Sequence, residues 1–203
     1  MINAAASFAR FFGRIPKAVL FGAAILIQLA LLAAMVVDRA QILREGREVK
    51  LQTRPVDPRD FLRGDYVVLG YDISQLKAGA LKDQPVRSRN VYVKLTPNRD
   101  GLYEAASVHA EPVAVTGPEV LIQGRVRYGA SCGDRSRMPV YCENLQVRYN
   151  LESYFVPEGE GKKLEDARNV GKVTIVAAIT PSGRAAIKRL LLDGQPVYEE
   201  PWF

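Results

Sequence analysis

The sequence predicts a mainly β protein, an antiparallel sandwich or open barrel with one short helix, set behind a single N-terminal transmembrane helix. Three observations predict it. Ala18 to Val37 form an apolar run interrupted only by Gln28. Beyond Glu48 the chain breaks into short segments that alternate apolar and polar residues, the period of a half-buried strand. Turn residues separate these segments at hairpin distances, without the spacing of βαβ units. The chain therefore divides into a basic tail (1–17), a transmembrane signal-anchor (18–40) and a β-rich domain (41–203).

The anchor is read from length and flanks. Twenty helical residues at ~1.5 Å each cover about 30 Å, the hydrocarbon thickness of a bilayer. Arg10, Arg14 and Lys17 precede the run without an acid, as in a signal n-region. The run is longer than a cleaved signal's apolar region. Its exit, Met35-Val36-Val37-Asp38-Arg39, is a poor cleavage site. Counting bases gives more on the C-terminal side (Arg39, Arg44, Arg47, Lys50, Arg54), which by itself favours a cytoplasmic domain. Long domains cross largely regardless of charge, and the cysteines discussed below favour the outside. The expectation is a single-pass membrane protein with its tail inside and its domain outside. Ala23, Ile27, Ala30 and Ala34 form a smooth helical stripe that suits close approach of another helix, including a second copy.

Composition bounds the domain's business. Arg10, Arg14, Lys17 and Arg39 against Asp38 hold half of the +6 net charge, leaving 24 bases against 21 acids in the remainder. Those signs are interspersed rather than gathered in a stripe, which argues against a nucleic-acid reader. Residues 41–203 suffice to bury one core without staples.

Helix is expected to continue through Asp38–Arg47, followed by a first strand over Glu48–Thr53 ending at Pro55. After a turn at Asp57-Pro58-Arg59-Asp60 comes the stretch around which the domain is organised, Arg63 to Ser74. Gly64-Asp65 supplies the turn that starts it. Val67, Leu69, Tyr71 and Ile73 then share one face, and Tyr66, Val68, Gly70 and Asp72 the other. Gln75–Ser88 reads as a surface loop. Asn90–Leu95 and Gly101–Val108 form a hairpin about Pro97–Asp100. Further strands are expected over Glu119–Tyr128, over a long Tyr141–Val156, and over Lys172–Thr180 and Arg184–Leu192 joined by Pro181-Ser182-Gly183. Lys162–Asn169 is the one helical stretch expected here.

Gly64, Asp65, Tyr66, Leu69, Tyr71 and Ile73 match the pattern G-D-Y-x-x-L-x-Y-x-I, and the chain thereby resembles the GDYXXLXY family of membrane-anchored bacterial proteins. Tyr154–Gly161, Gly183–Ile187 and Asp193-Gly194 are similar to that family as well, so the resemblance runs from about Pro55 onward. It implies no established activity. It implies an accessory protein of the bacterial inner membrane, its domain periplasmic or external, whose partner is an integral, multi-spanning membrane protein.

Residues that could carry chemistry are few. Cys132 and Cys142 bracket the tip of a hairpin and are expected as a structural disulfide contributing roughly 2–3 kcal/mol outside the cytoplasm; free thiols are the alternative. Zinc wants four ligands, and the only histidine is His109. No metal or cofactor is expected. The chain also resembles membrane-anchored signal peptidases, with Arg63-Gly64-Asp65 like their strand start and Lys94 like their base. The upstream serine is missing: Val56 stands in its place, and no serine lies between Ser7 and Ser74. A Ser–Lys mechanism needs the hydroxyl beside the amine.

The expectation is therefore an accessory protein that binds a membrane or envelope partner without catalysis. Its candidate surface is Arg63, Gly64, Asp65, Tyr66 and Tyr71 with the loop carrying Glu158 and Glu160. An envelope hydrolase, with Lys94 and Asp65 as its catalytic groups, is one alternative. A small-ligand-binding barrel is the other.

Overall fold

The computed structural model describes residues 16–55, 66–77, 90–127, 144–155, 164, 167 and 170–201. The chain divides into two units, one ending at Ala40 and one running from Gln41 to Trp202. The first is the body of helix α1 (Lys17–Glu45), whose 29 residues are long and apolar enough to cross a membrane. Its large side chains, among them Phe21, Leu26, Ile27, Leu31 and Met35, are exposed.

The second unit opens with the last turn of α1, where Ile42 and Leu43 bury against Ala186. Gly46 alone separates that turn from strand β1 (Arg47–Arg54). Its N–H donates to the Ile42 carbonyl at 3.0 Å. A Cβ at Gly46 would stand 2.5 Å from that oxygen and 2.9 Å from Ala178 Cβ, so the helix-to-strand switch needs glycine for room.

The organising stretch is a strand in pieces: β2 (Tyr66–Val68), β3 (Gly70–Tyr71), a 3₁₀ turn over Asp72–Ser74, and β4 (Gln75–Lys77). Then follow β5 (Asn90–Pro97), β6 (Tyr103–His109), β7 (Val120–Arg127), β8 (Asn144–Arg148) and β9 (Ser153–Phe155). The last three are β10 (Val173–Ile179), β11 (Ala185–Leu192) and β12 (Gln195–Glu199). One antiparallel sheet runs β12-β11-β10-β1-β3, the other β4-β8-β7-β5-β6, and β2 pairs with β9. The fold is mainly β, as the alternation predicts.

The two sheets are joined at β1. On the edge away from β10, Lys50 makes a parallel bridge to Leu102, just ahead of β6. Farther along the same edge, Thr53 and Arg54 pair with Tyr71 and Gly70 of β3. The chain then turns through Asp72–Ser74 from the edge of one sheet to the edge of the other. A main-chain circuit thus closes through β1, β3, β4, β8, β7, β5 and β6, while β10, β11 and β12 extend from β1 as an added layer. Both sheets share one core: Leu51, Ile175, Ile179 and Leu190 from one, Val93, Leu95, Ile122 and Leu145 from the other.

Several expectations are refined. The long strand over Tyr141–Val156 is two strands, because Asn150 adopts φ 61° and the Glu152 carboxylate takes the Tyr149 N–H at 2.6 Å. Asn is among the few side chains that tolerate that region. The loop expected from Gln75 begins instead with β4, which pairs with β8 and buries Leu76. Strand β12 lies beyond the last strand that alternation predicts; Pro196 sits in it because it is an edge strand, where a missing N–H is harmless. In the stretch expected to be helical, Leu164 and Ala167 are helical.

Candidate functional site

The motif stretch shows which of its residues build the domain. Leu69, Tyr71 and Ile73 are buried, and Val68, Gly70 and Asp72 lie on the less buried side, the alternation expected of a half-buried strand. Tyr71 is wholly buried. Its hydroxyl donates to the Leu151 carbonyl at 2.5 Å. In the other direction the Tyr149 hydroxyl donates to the Ile73 carbonyl at 2.6 Å. Burial, and then the nearby Glu152 charge, pushes both phenols well above the usual tyrosine range. The corner of the circuit is thus fastened from both sides, at carbonyls that a 3₁₀ turn and a positive-φ turn withdraw from regular ladders.

That corrects one member of the candidate surface. Tyr71 is a determinant of the fold, with no exposed area for a partner, because its ring fills the core and its hydroxyl is spent on Leu151. Tyr66 pairs through its backbone with Phe155. Arg63, Gly64, Asp65, Glu158 and Glu160 lie outside the described residues, as do Cys132 and Cys142. Register still relates the two candidate loops. Because β2 and β9 are antiparallel with Tyr66 opposite Phe155, the chain enters β2 and leaves β9 at the same end of that pair.

A second grouping centres on Lys94. In β5 it stands opposite Ser107 of β6 and Leu121 of β7. Its ammonium lies 2.9 Å from Glu119, whose other oxygen accepts the Thr116 N–H at 3.0 Å. The Thr116 amide, and then Lys94, hold the Glu119 carboxyl below the usual range. Ser107 is buried, and its Oγ lies 2.9 Å from His109 Nε2. A β-bulge falls here, since the register shifts between Lys94 and Leu95. Lys94 therefore faces a serine after all, although not the upstream one that signal peptidases would lead one to seek. The Ser107-Val108-His109 spacing was readable, because i and i+2 share a strand face; its pairing with β5 opposite Lys94 was not.

Gly183 matters for a different reason. It adopts φ +88°, and its carbonyl accepts the Gln123 N–H at 2.8 Å. A Cβ there would stand 2.9 Å from Gln123 N, so the β10–β11 turn docks on β7 only as glycine. Asp193 (φ 48°) and Gly194 (φ 79°) are the two-residue turn joining β11 to β12.

These features define a class: a β domain closed around one core, entered from a helix of membrane-spanning length. A family model described as GDYXXLXY protein matches residues 28–190, and the chain belongs to that family. The match takes in the second half of α1, β1 through β10 and most of β11. Searches of curated proteins and of solved structures return no match.

Proposed function

We infer that this is a single-pass membrane protein whose β domain, on the periplasmic side of an inner membrane, binds an integral membrane partner without catalysis. The observation that carries this reading is α1: an exposed apolar helix of 29 residues that passes into β1 across one glycine. A domain so closely tethered meets its targets at the membrane. The candidate contact residues are Arg63–Asp65, which precede β2 in the chain, and Glu158 with Glu160, which follow β9. On that side of the membrane Cys132 and Cys142 form a disulfide. A stripe of Ala23, Ala30 and Ala34 on α1 offers a helix–helix contact to the partner or to a second copy.

Affinity purification of the tagged full-length chain from mild detergent tests the partner, with a stoichiometric membrane protein expected; a clean monomer overturns it. A reporter fused after Phe203 tests the topology. Activity confined to the cytosol, with Cys132 and Cys142 alkylated in intact cells, overturns the periplasmic placement.

One observation favours a second reading, an envelope hydrolase: Ser107 hydrogen-bonds His109 and faces Lys94 across the strand pair. A nucleophile within reach of a base is the minimum such chemistry needs. Labelling of wild-type protein by a fluorophosphonate probe, lost in Ser107→Ala, is the result that moves the assignment to this reading.

A further inference from the structure

The solvent face of the β7–β8–β4 strands carries an arginine cluster. Arg125 of β7 is directly opposite Arg148 of β8, and Arg127, two residues on, is opposite Gln146. Gln75 of β4 is opposite Gln146 in turn, and the Arg54 guanidinium donates to its Oε1 at 2.9 Å. Arg125, Arg127, Arg148, Gln146 and Gln75 are all exposed. Among the described residues, Arg125, Arg127 and Arg148 pair with no carboxylate. The nearby Glu152 turns an oxygen to the Tyr149 N–H instead. Like charges directly opposite across two strands oppose folding rather than assist it, so the fold itself gains nothing from this arrangement.

We propose that this face is a docking surface for an extended acidic segment of a partner protein, with Asp or Glu at alternate positions. The proposal goes beyond the partner-binding reading and rests on it for the kind of molecule involved. Spacing and chemistry choose the occupant. Alternate residues of a strand lie about 6.8 Å apart, so Arg125 and Arg127 match the side-chain repeat of an extended peptide running along β7. Arg148, one strand away at roughly 5 Å, completes a fork for the carboxylate that meets Arg125. Guanidinium groups take carboxylates in bidentate geometry, which an ammonium does not. The glutamines and Arg54 leave donors along the border for the peptide's own carbonyls.

The experiment uses the full-length chain in nanodiscs of zwitterionic lipid. The probe is a fluorescent peptide of alternating Glu and Ser, with an isomer holding the same glutamates in one block. Alternating peptide is expected to bind with an affinity that falls as salt rises from about 50 to about 300 mM. Arg125→Gln and Arg148→Gln are each expected to weaken it several-fold and together about tenfold or more, while Arg99→Gln, which removes the same charge as either single variant but from the β5–β6 turn, changes it less than about twofold. No binding at low salt, equal binding of the two isomers, or equal loss in all variants overturns the proposal. So does binding to phosphatidylglycerol vesicles with none to the peptide, which would mark the face as lipid-directed. If the double variant still recovers a native membrane partner in full from detergent, this surface fails while the partner-binding reading stands. If wild type recovers no partner yet binds the peptide, that reading fails and the surface stands.

Discussion

Tyr71 and Tyr149 fasten each other's strands: the hydroxyl of Tyr71 reaches the Leu151 carbonyl, and that of Tyr149 reaches the Ile73 carbonyl. Each bond therefore lands two residues beyond the other tyrosine. The corner by which the chain passes from one sheet to the other is held by this reciprocal pair.

Removing either hydroxyl strands a buried carbonyl. Tyr71→Phe and Tyr149→Phe are each expected to cost about 1–3 kcal/mol. The double variant should depart from additivity by about 0.5 kcal/mol or more, because both bonds fix one corner. Urea unfolding of the full-length chain in detergent micelles measures both quantities. Strict additivity would mean the two bonds act independently.

Alkaline pH probes the same pair. Both phenols have folded-state values raised above the unfolded value near 10, by burial and then by Glu152. Their contribution is thus fully present below about pH 10 and is lost as pH rises through the folded-state values, since the unfolded chain releases the protons first. Stability is expected to fall above about pH 10, less steeply in Tyr71→Phe/Tyr149→Phe. An unchanged slope in that variant would assign the loss to other groups.

Gly124 is where the Tyr149 ring rests. A Cβ there would run into Val147 Cγ1 and come within 2.9 Å of the Tyr149 ring. Gly124→Ala is expected to destabilise by about 1–3 kcal/mol through overpacking. At Gly171, where φ is +74° and nothing lies within 4 Å, alanine meets backbone strain alone, expected at about 1 kcal/mol. Thermal unfolding ranks the two. A milder effect at Gly124 would mean that Tyr149 moves aside without penalty.

The β10–β11 turn makes a third test. Gly183→Ala combines positive φ with a contact at 2.9 Å to Gln123 N, so a loss exceeding that at Gly171 is expected. Hydrogen exchange at the Gln123 amide, which Gly183 protects at 2.8 Å, should accelerate in the variant. Unchanged protection would show that the turn stays docked.

Acid stability draws weakly on Glu48. Lys188, 2.9 Å from one carboxylate oxygen, and Arg189, paired with the other, hold its carboxyl below the usual range. The contribution is present above the unfolded value of about 4.3 and is lost as pH falls through the folded value. The side chain is 41% exposed, and Glu48→Gln is expected to cost no more than about 0.5 kcal/mol near neutral pH. A loss several times larger would make this network a principal support of β1 on β11.

What the sequence determined by itself is local. A run of apolar residues as long as a bilayer is thick fixes a helix of that length, and alternation fixes which side of a strand is buried; both depend on neighbours in the chain. Leu69, Tyr71 and Ile73 were therefore legible as core before any fold was known. What tertiary structure decided is everything that depends on distant chain. The long strand ending at Val156 breaks because Asn150 turns and Glu152 caps Tyr149, and β4 and β12 exist because partners lie ready beside them. Lys94 meets Ser107, and Arg125 meets Arg148, only through strand register. Alternation names the face on which a side chain lies, while register, set by the whole packed sheet, names its neighbour.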